Sequence, residues 1–165
     1  MFACDAKKLR DAWKRRETEI VGIDAVPFNR FAIQFTAHSI LRELNKAFVG
    51  FYGDGQPPEH LSAIATGNWG CGAFGGDKEL KSLLQLMAAA EANRDVAYFT
   101  FSDRVFMQEL HRVYVELITA KCDVGRLFQL IGQYADEEVR STAGDPNLSL
   151  FEFISQQLAE EVDGE

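Results

Sequence analysis

Thr66-Gly67-Asn68-Trp69-Gly70-Cys71-Gly72-Ala73-Phe74-Gly75-Gly76-Asp77 is the stretch on which the reading of this chain turns. It packs five glycines into residues 67–76, following a short apolar run at 61–66 that reads as a strand. Asp77 then makes a good helix N-cap ahead of Leu80, Leu83, Leu84 and Met87, which fall on one helical face. A glycine-rich strand-to-helix turn lets backbone N–H groups point inward and adds the positive end of the helix dipole. Such a loop holds a diphosphate without Lys or Arg. The plain alternative is a tight turn whose glycines only accommodate positive φ, but Trp69 and Phe74 interrupting a solvent turn argue for a binding loop.

Working outward, the hydrophobic period alternates between 2 and 3.6. Residues 19–26, Glu-Ile-Val-Gly-Ile-Asp-Ala-Val, read as a buried strand ended by Pro27. A helix is predicted over 28–51, with Ile33, Ile40, Leu41, Leu44, Ala47 and Phe48 as its apolar stripe, and residues 53–58 force a loop. Residues 95–101 form a third predicted strand. Asp103, Asp123 and Ser149 then cap three helices that complete a helical C-terminal part. Strands joined by helices in this order imply an α/β fold, with a parallel sheet flanked by helices.

The 165 residues, 47% apolar with a formal charge of −8, suit one domain with one sizeable core. The acidic balance argues against direct binding to DNA, which needs clustered basic residues. Residues 1–16 form a basic segment around Trp13 and residues 156–165 an acidic tail, expected to fray from Glu160 onward. No apolar run approaches the ~20 residues of a membrane span, and no secretory signal opens the chain. Cys4, Cys71 and Cys122 have no C-x-x-C spacing, and His38, His60 and His111 are scattered. Neither a disulfide framework nor a metal site is expected, and the compartment is expected to be intracellular and reducing.

Gly70-x-Gly72-x-x-Gly75 also matches the dinucleotide fingerprint. However, the nearest ribose-binding acid, Asp103, lies well beyond the usual ~20 residues, and Phe74 is bulky for that turn. A dinucleotide-dependent oxidoreductase is therefore a lesser alternative.

The loop motif, together with Leu86-Met87-Ala88-Ala89-Ala90, Arg94-Asp95-Val96-Ala97-Tyr98-Phe99-Thr100-Phe101, Glu19-Ile20-Val21-Gly22-Ile23-Asp24-Ala25 and Arg42-Glu43-Leu44-Asn45-Lys46-Ala47-Phe48, resembles the C-terminal part of the catalytic domain of poly(ADP-ribose) glycohydrolases over about residues 10–155. The resemblance implies a partial macrodomain-like sheet and binding of ADP-ribose, without a further cofactor, in an enzyme that hydrolyses ribose–ribose O-glycosidic bonds of poly(ADP-ribose). It maps the diphosphate loop to Asn68, Gly70, Cys71, Gly72, Ala73 and Phe74, with Phe74 beside the ribose and Phe101 helping to hold the adenosine. Poly(ADP-ribosyl)ated proteins as partners, a nuclear or cytoplasmic location and a place in the DNA damage response are further implications. Family members carry their catalytic acids upstream, in a glycine-rich segment ending Gln-Glu-Glu. No such segment occurs here. Glu137-Glu138 and Glu160-Glu161 read as helix-face residues, so no catalytic residue is nominated. The expectation is that residues 1–165 form the C-terminal portion of a larger catalytic domain, the alternative being a short form that binds ADP-ribose without cleaving it.

Overall fold

The structure is a computed structural model and describes residues 12–13, 19–53 and 61–163. Its elements are α1 (Phe31–Gln34), α2 (Ala37–Phe51), β1 (Ile64–Gly67), α3 (Lys78–Glu91), β2 (Val96–Phe99), α4 (Arg104–Thr119), α5 (Val124–Tyr134), a π-helical turn (Ala135–Arg140) and α6 (Leu150–Asp163). The two strands pair in parallel with Ile64 opposite Val96 and Gly67 opposite Phe99. This is the α/β arrangement the alternating periodicity implies, with α3 as the crossover.

Helix starts are where short side chains can satisfy the first free N–H groups. Asp77 accepts from Leu80 N–H at 2.8 Å, Asp103 from Phe106 N–H at 3.1 Å and Asp123 from Arg126 N–H at 2.7 Å. Ser149 and Glu152 cap α6 reciprocally. Glu152 N–H donates to Ser149 Oγ at 3.2 Å and Ser149 N–H to Glu152 Oε2 at 2.9 Å.

The larger core joins Leu80, Leu83, Leu84 and Met87 of α3 to Phe106, Leu110, Val113 and Leu117 of α4, with α5 and α6 closing over them. Each fully buried Leu is worth about 1.5–3 kcal/mol relative to an exposed one. A smaller core of Ala47, Phe51, Ile64, Ala88 and Ala89 locks α2 and β1 against α3.

Three expectations are corrected. Residues 19–26 form no strand or helix, and Ile20 is 92% exposed. A strand needs a laddered neighbour, and among the described residues the sheet has only β1 and β2. The helix predicted over 28–51 is broken at Phe35–Thr36: Thr36 takes extended angles and caps α2, accepting from Ser39 N–H at 3.3 Å. The acidic end is helical to Asp163, with Glu161 paired to Arg126, where fraying was expected from Glu160. Apart from residues 12–13, the basic segment at 1–16 lies outside the described residues, as do residues 164–165.

Candidate functional site

The parallel pairing puts the turns after β1 and β2 at the same carboxyl edge of the sheet, the usual ligand side of open α/β sheets. Residues 68–77 leave β1 and reach Asp77, while Thr100, Phe101 and Ser102 leave β2 and reach Asp103. Phe101 and Ser102 both lie in the left-handed region, at φ +54° and +72°, which turns the Phe101 ring out of the strand. That ring is 76% exposed and covers Gly67: a Cβ there would meet Phe101 Cε2 at 2.8 Å and Phe99 O at 2.5 Å.

Within the loop the backbone folds on itself. Trp69 N–H donates to Gly67 O at 2.7 Å, Cys71 N–H to Asn68 O at 3.1 Å, Gly75 N–H to Gly72 O at 3.0 Å and Gly76 N–H to Gly70 O at 2.9 Å. The N–H groups of Gly70, Gly72, Ala73 and Phe74 find no acceptor among the described residues. Gly72, Ala73 and Phe74 are exposed. Of the residues assigned to the loop from sequence, four thus keep a free amide, whereas that of Cys71 is committed to the turn. Asn68 uses its side chain to accept from the Tyr98 hydroxyl at 3.2 Å, tying the loop to β2. The Phe74 side chain is 47% exposed.

Chain segments distant in sequence hold the loop in place. Phe28 N–H donates to Phe74 O at 2.7 Å, and a Cβ at Gly75, whose φ is +68°, would meet Phe28 O at 2.8 Å. The buried Gln34 side chain accepts from Asp77 N–H at 2.7 Å. Gln85 donates to Gly67 O at 3.1 Å and accepts from Thr66 Oγ1 at 2.5 Å.

Beneath Trp69 lies Lys81, 1% exposed and paired with Glu43, 2% exposed. Its Nζ stands 3.5 Å from the Trp69 ring centroid. Burial pushes the Lys81 ammonium below its usual range, and Glu43 opposes that shift. Glu43 also pairs with Arg42, which reaches Asp24 at 2.5 Å, as does Lys46. None of this cluster was singled out from sequence as part of the site. The available signal was a charge set into the apolar face of each helix, Glu43 between Ile40 and Ala47 and Lys81 between Leu80 and Leu84.

Burial raises the Cys71 thiol to about 11, so it remains protonated at neutral pH and is a poor nucleophile. A depression of about 470 Å³ beside the loop, on the side of Asp77 and Lys78, carries Asp77, Glu79, Asp103 and Glu109. Four carboxyl groups against one ammonium disfavour an anion there. Glu138 accepts from Asn147 N–H at 2.9 Å and Leu148 N–H at 3.3 Å, a turn-holding role. Among the described residues no group of three or more His, Cys, Asp or Glu is arranged to hold a metal, and no helix is long and apolar enough to cross a membrane.

Comparison with known proteins gives a match over residues 2–108 to the family described as poly(ADP-ribose) glycohydrolase (PARG), Macro domain fold. The match contains both strands and the loop. A probable poly(ADP-ribose) glycohydrolase 2 of Arabidopsis thaliana is 30% identical, covering 78% of this chain and 31% of its own length. Poly(ADP-ribose) glycohydrolases 1 and 2 of Caenorhabditis elegans are 31% and 33% identical, covering 77% and 74% of this chain. The chain spans 17% and 26% of the length of those two relatives. With the matched region carrying the glycine-rich turn at the carboxyl edge of a parallel sheet, this chain belongs to the poly(ADP-ribose) glycohydrolase family, in its C-terminal catalytic region.

Proposed function

We propose that this chain binds the terminal ADP-ribose of poly(ADP-ribose), with the diphosphate on residues 68–74, and serves as the C-terminal portion of a glycohydrolase catalytic domain. The observation that carries the reading is the set of unpaired amides at Gly70, Gly72, Ala73 and Phe74, the last three on exposed residues, at the sheet's carboxyl edge. Backbone donors suit a diphosphate because they need no basic side chain, which reconciles the site with a chain of charge −8. Phe74 would pack beside the ribose, and Phe101, turned outward by its positive φ, would offer a flat face to the adenine.

Cleavage of the ribose–ribose bond needs a carboxyl group to protonate the departing oxygen and support for an oxocarbenium-like transition state. The loop supplies binding and orientation, not that acid. The relatives contain much more chain than is matched here, and a cavity of about 780 Å³ along β1, bordered by Val21, Ile23 and Trp69, offers a seat for further elements of a larger domain. The reading extends to poly(ADP-ribosyl)ated proteins as partners, and to polymer turnover in the nucleus or cytoplasm during the DNA damage response.

No observation favours a nicotinamide reaction: Asp103, the acid that would hold a ribose, caps α4 and pairs with Lys78 at 2.6 Å. Calorimetric titration with ADP-ribose and with NAD tests the assignment. Tighter binding of ADP-ribose is expected, and preference for NAD would overturn it. Incubation with labelled poly(ADP-ribose) should release no ADP-ribose from this chain alone.

A further inference from the structure

Lys81 is placed where a structural residue would more cheaply be apolar. Burying an ammonium and a carboxylate costs desolvation that their attraction repays only in part, and well-packed apolar replacements are often at least as stable. Its surroundings suggest a use for the charge. A Cβ at Gly70 would lie 3.2 Å from Lys81 Cε and 3.4 Å from Nζ, and one at Gly76 would lie 3.5 Å from Lys81 Cγ. Gly70 and Gly76 are joined by the 2.9 Å hydrogen bond that closes the neck of the loop, so the Lys81 stem runs under that neck. The same Cβ at Gly70 would also meet Ala25 Cβ at 3.1 Å, and Ala25's neighbour Asp24 is held by Arg42 and Lys46. The connected charges are Lys81, Arg42 and Lys46 against Glu43 and Asp24, an excess of one positive charge, with the Lys81 ammonium lying against Gly70.

We infer that Lys81, anchored by Glu43, is a positioning residue for ADP-ribose recognition: it fixes Trp69 and Gly70 so that the loop amides meet the diphosphate, and it places an ammonium beneath them that favours an anion. This rests on the reading of the loop as a diphosphate seat. It assigns the diphosphate a partner that never touches it. Removing the charge therefore weakens ligands that carry a diphosphate and leaves a bare nucleoside unaffected, whereas a purely structural role would weaken both alike through the fraction of folded protein.

The test uses the full 165-residue chain with Lys81→Met, and with Glu43→Gln/Lys81→Met, in which no unpaired carboxylate remains buried should Lys81→Met alone fail to fold. ADP-ribose affinity is measured by calorimetry, adenosine binding by saturation-transfer NMR and stability by thermal melting. The expected result is a loss of about tenfold or more for ADP-ribose, adenosine binding within about twofold of wild type, and a double variant that regains melting temperature without regaining ADP-ribose affinity. A double variant that regains both, or equal losses for the two ligands, overturns the inference while the loop assignment stands. A wild-type chain that binds no ADP-ribose overturns both.

Discussion

The amide of Phe28 donates to the carbonyl of Phe74 at 2.7 Å, so the crest of the glycine-rich loop is clamped by the segment just ahead of α1. From sequence, Phe28 is expected to open the helix over 28–51. Its observed role is to brace the loop through its main chain.

The clamp makes Gly75 intolerant of a side chain. At φ +68°, with Phe28 O only 2.8 Å from a would-be Cβ, Gly75→Ala combines backbone strain with a clash against main chain. A loss of about 1–3 kcal/mol in stability is expected, measurable by urea denaturation, together with weaker ADP-ribose binding. An unchanged denaturation midpoint would show that the clamp yields without cost.

Phe74 should behave in the opposite way. Its ring is about half exposed, so Phe74→Ala removes little core contact. Melting should stay close to wild type while calorimetry shows ADP-ribose affinity lowered by about tenfold, the worth of one aromatic face against a sugar. Equal affinity in the variant would count against this side of the pocket.

Glu79 gives the fold a pH dependence. Its carboxylate accepts from Phe151 N–H at 2.7 Å at the start of α6, yet burial, with Asp77 and Glu109 nearby, raises it from 4.5 to about 7, against the lowering by Ser149 and that N–H. The folded state therefore holds this proton to higher pH than the unfolded state does. Stability falls as pH rises from about 4.5 to about 7, and Asp77, raised by its partial burial, contributes a fall of its own that starts at lower pH. Glu79→Gln keeps an acceptor for Phe151 and removes the titration. Its melting temperature relative to wild type should climb across that window, by an amount equivalent to about 1–3 kcal/mol. A difference independent of pH would sink the argument.

The caps offer a comparison between structure and site. Asp77→Ala and Ser149→Ala each remove a helix-capping oxygen, and each should cost about 1 kcal/mol in chemical denaturation. Only the first lies at the end of the loop, so only the first should also reduce ADP-ribose affinity. Equal binding losses in the two variants would mean that affinity tracks global stability alone.

Sequence reading succeeded where the physics is local. Asp77, Asp103, Asp123 and Ser149 cap helices because a short side chain reaches an amide three residues ahead. The two parallel strands follow from apolar runs bounded by turn residues, and the loop from its glycines. What escaped depends on partners distant in the chain. Residues 19–26 carry a strand pattern but lack a ladder among the described residues. The Glu43–Lys81 pair spans 38 residues, and each half looks like a stray charge until α2 docks on α3. The π-helical turn Ala135–Arg140 carries no marker that separates it from the helix it continues.

The link from Gln34 to Asp77 N–H spans 43 residues, and with the Glu43–Lys81 pair it has a kinetic consequence. Contacts so far apart form only after much of the chain has been gathered, whereas the backbone hydrogen bonds within α4 and α6 each close over a single helical turn. The recognition loop should reach its working shape late in folding and open early in native-state fluctuations. Hydrogen exchange would then find residues 68–76 less protected than the core of α4 and α6, with bound ADP-ribose slowing their exchange.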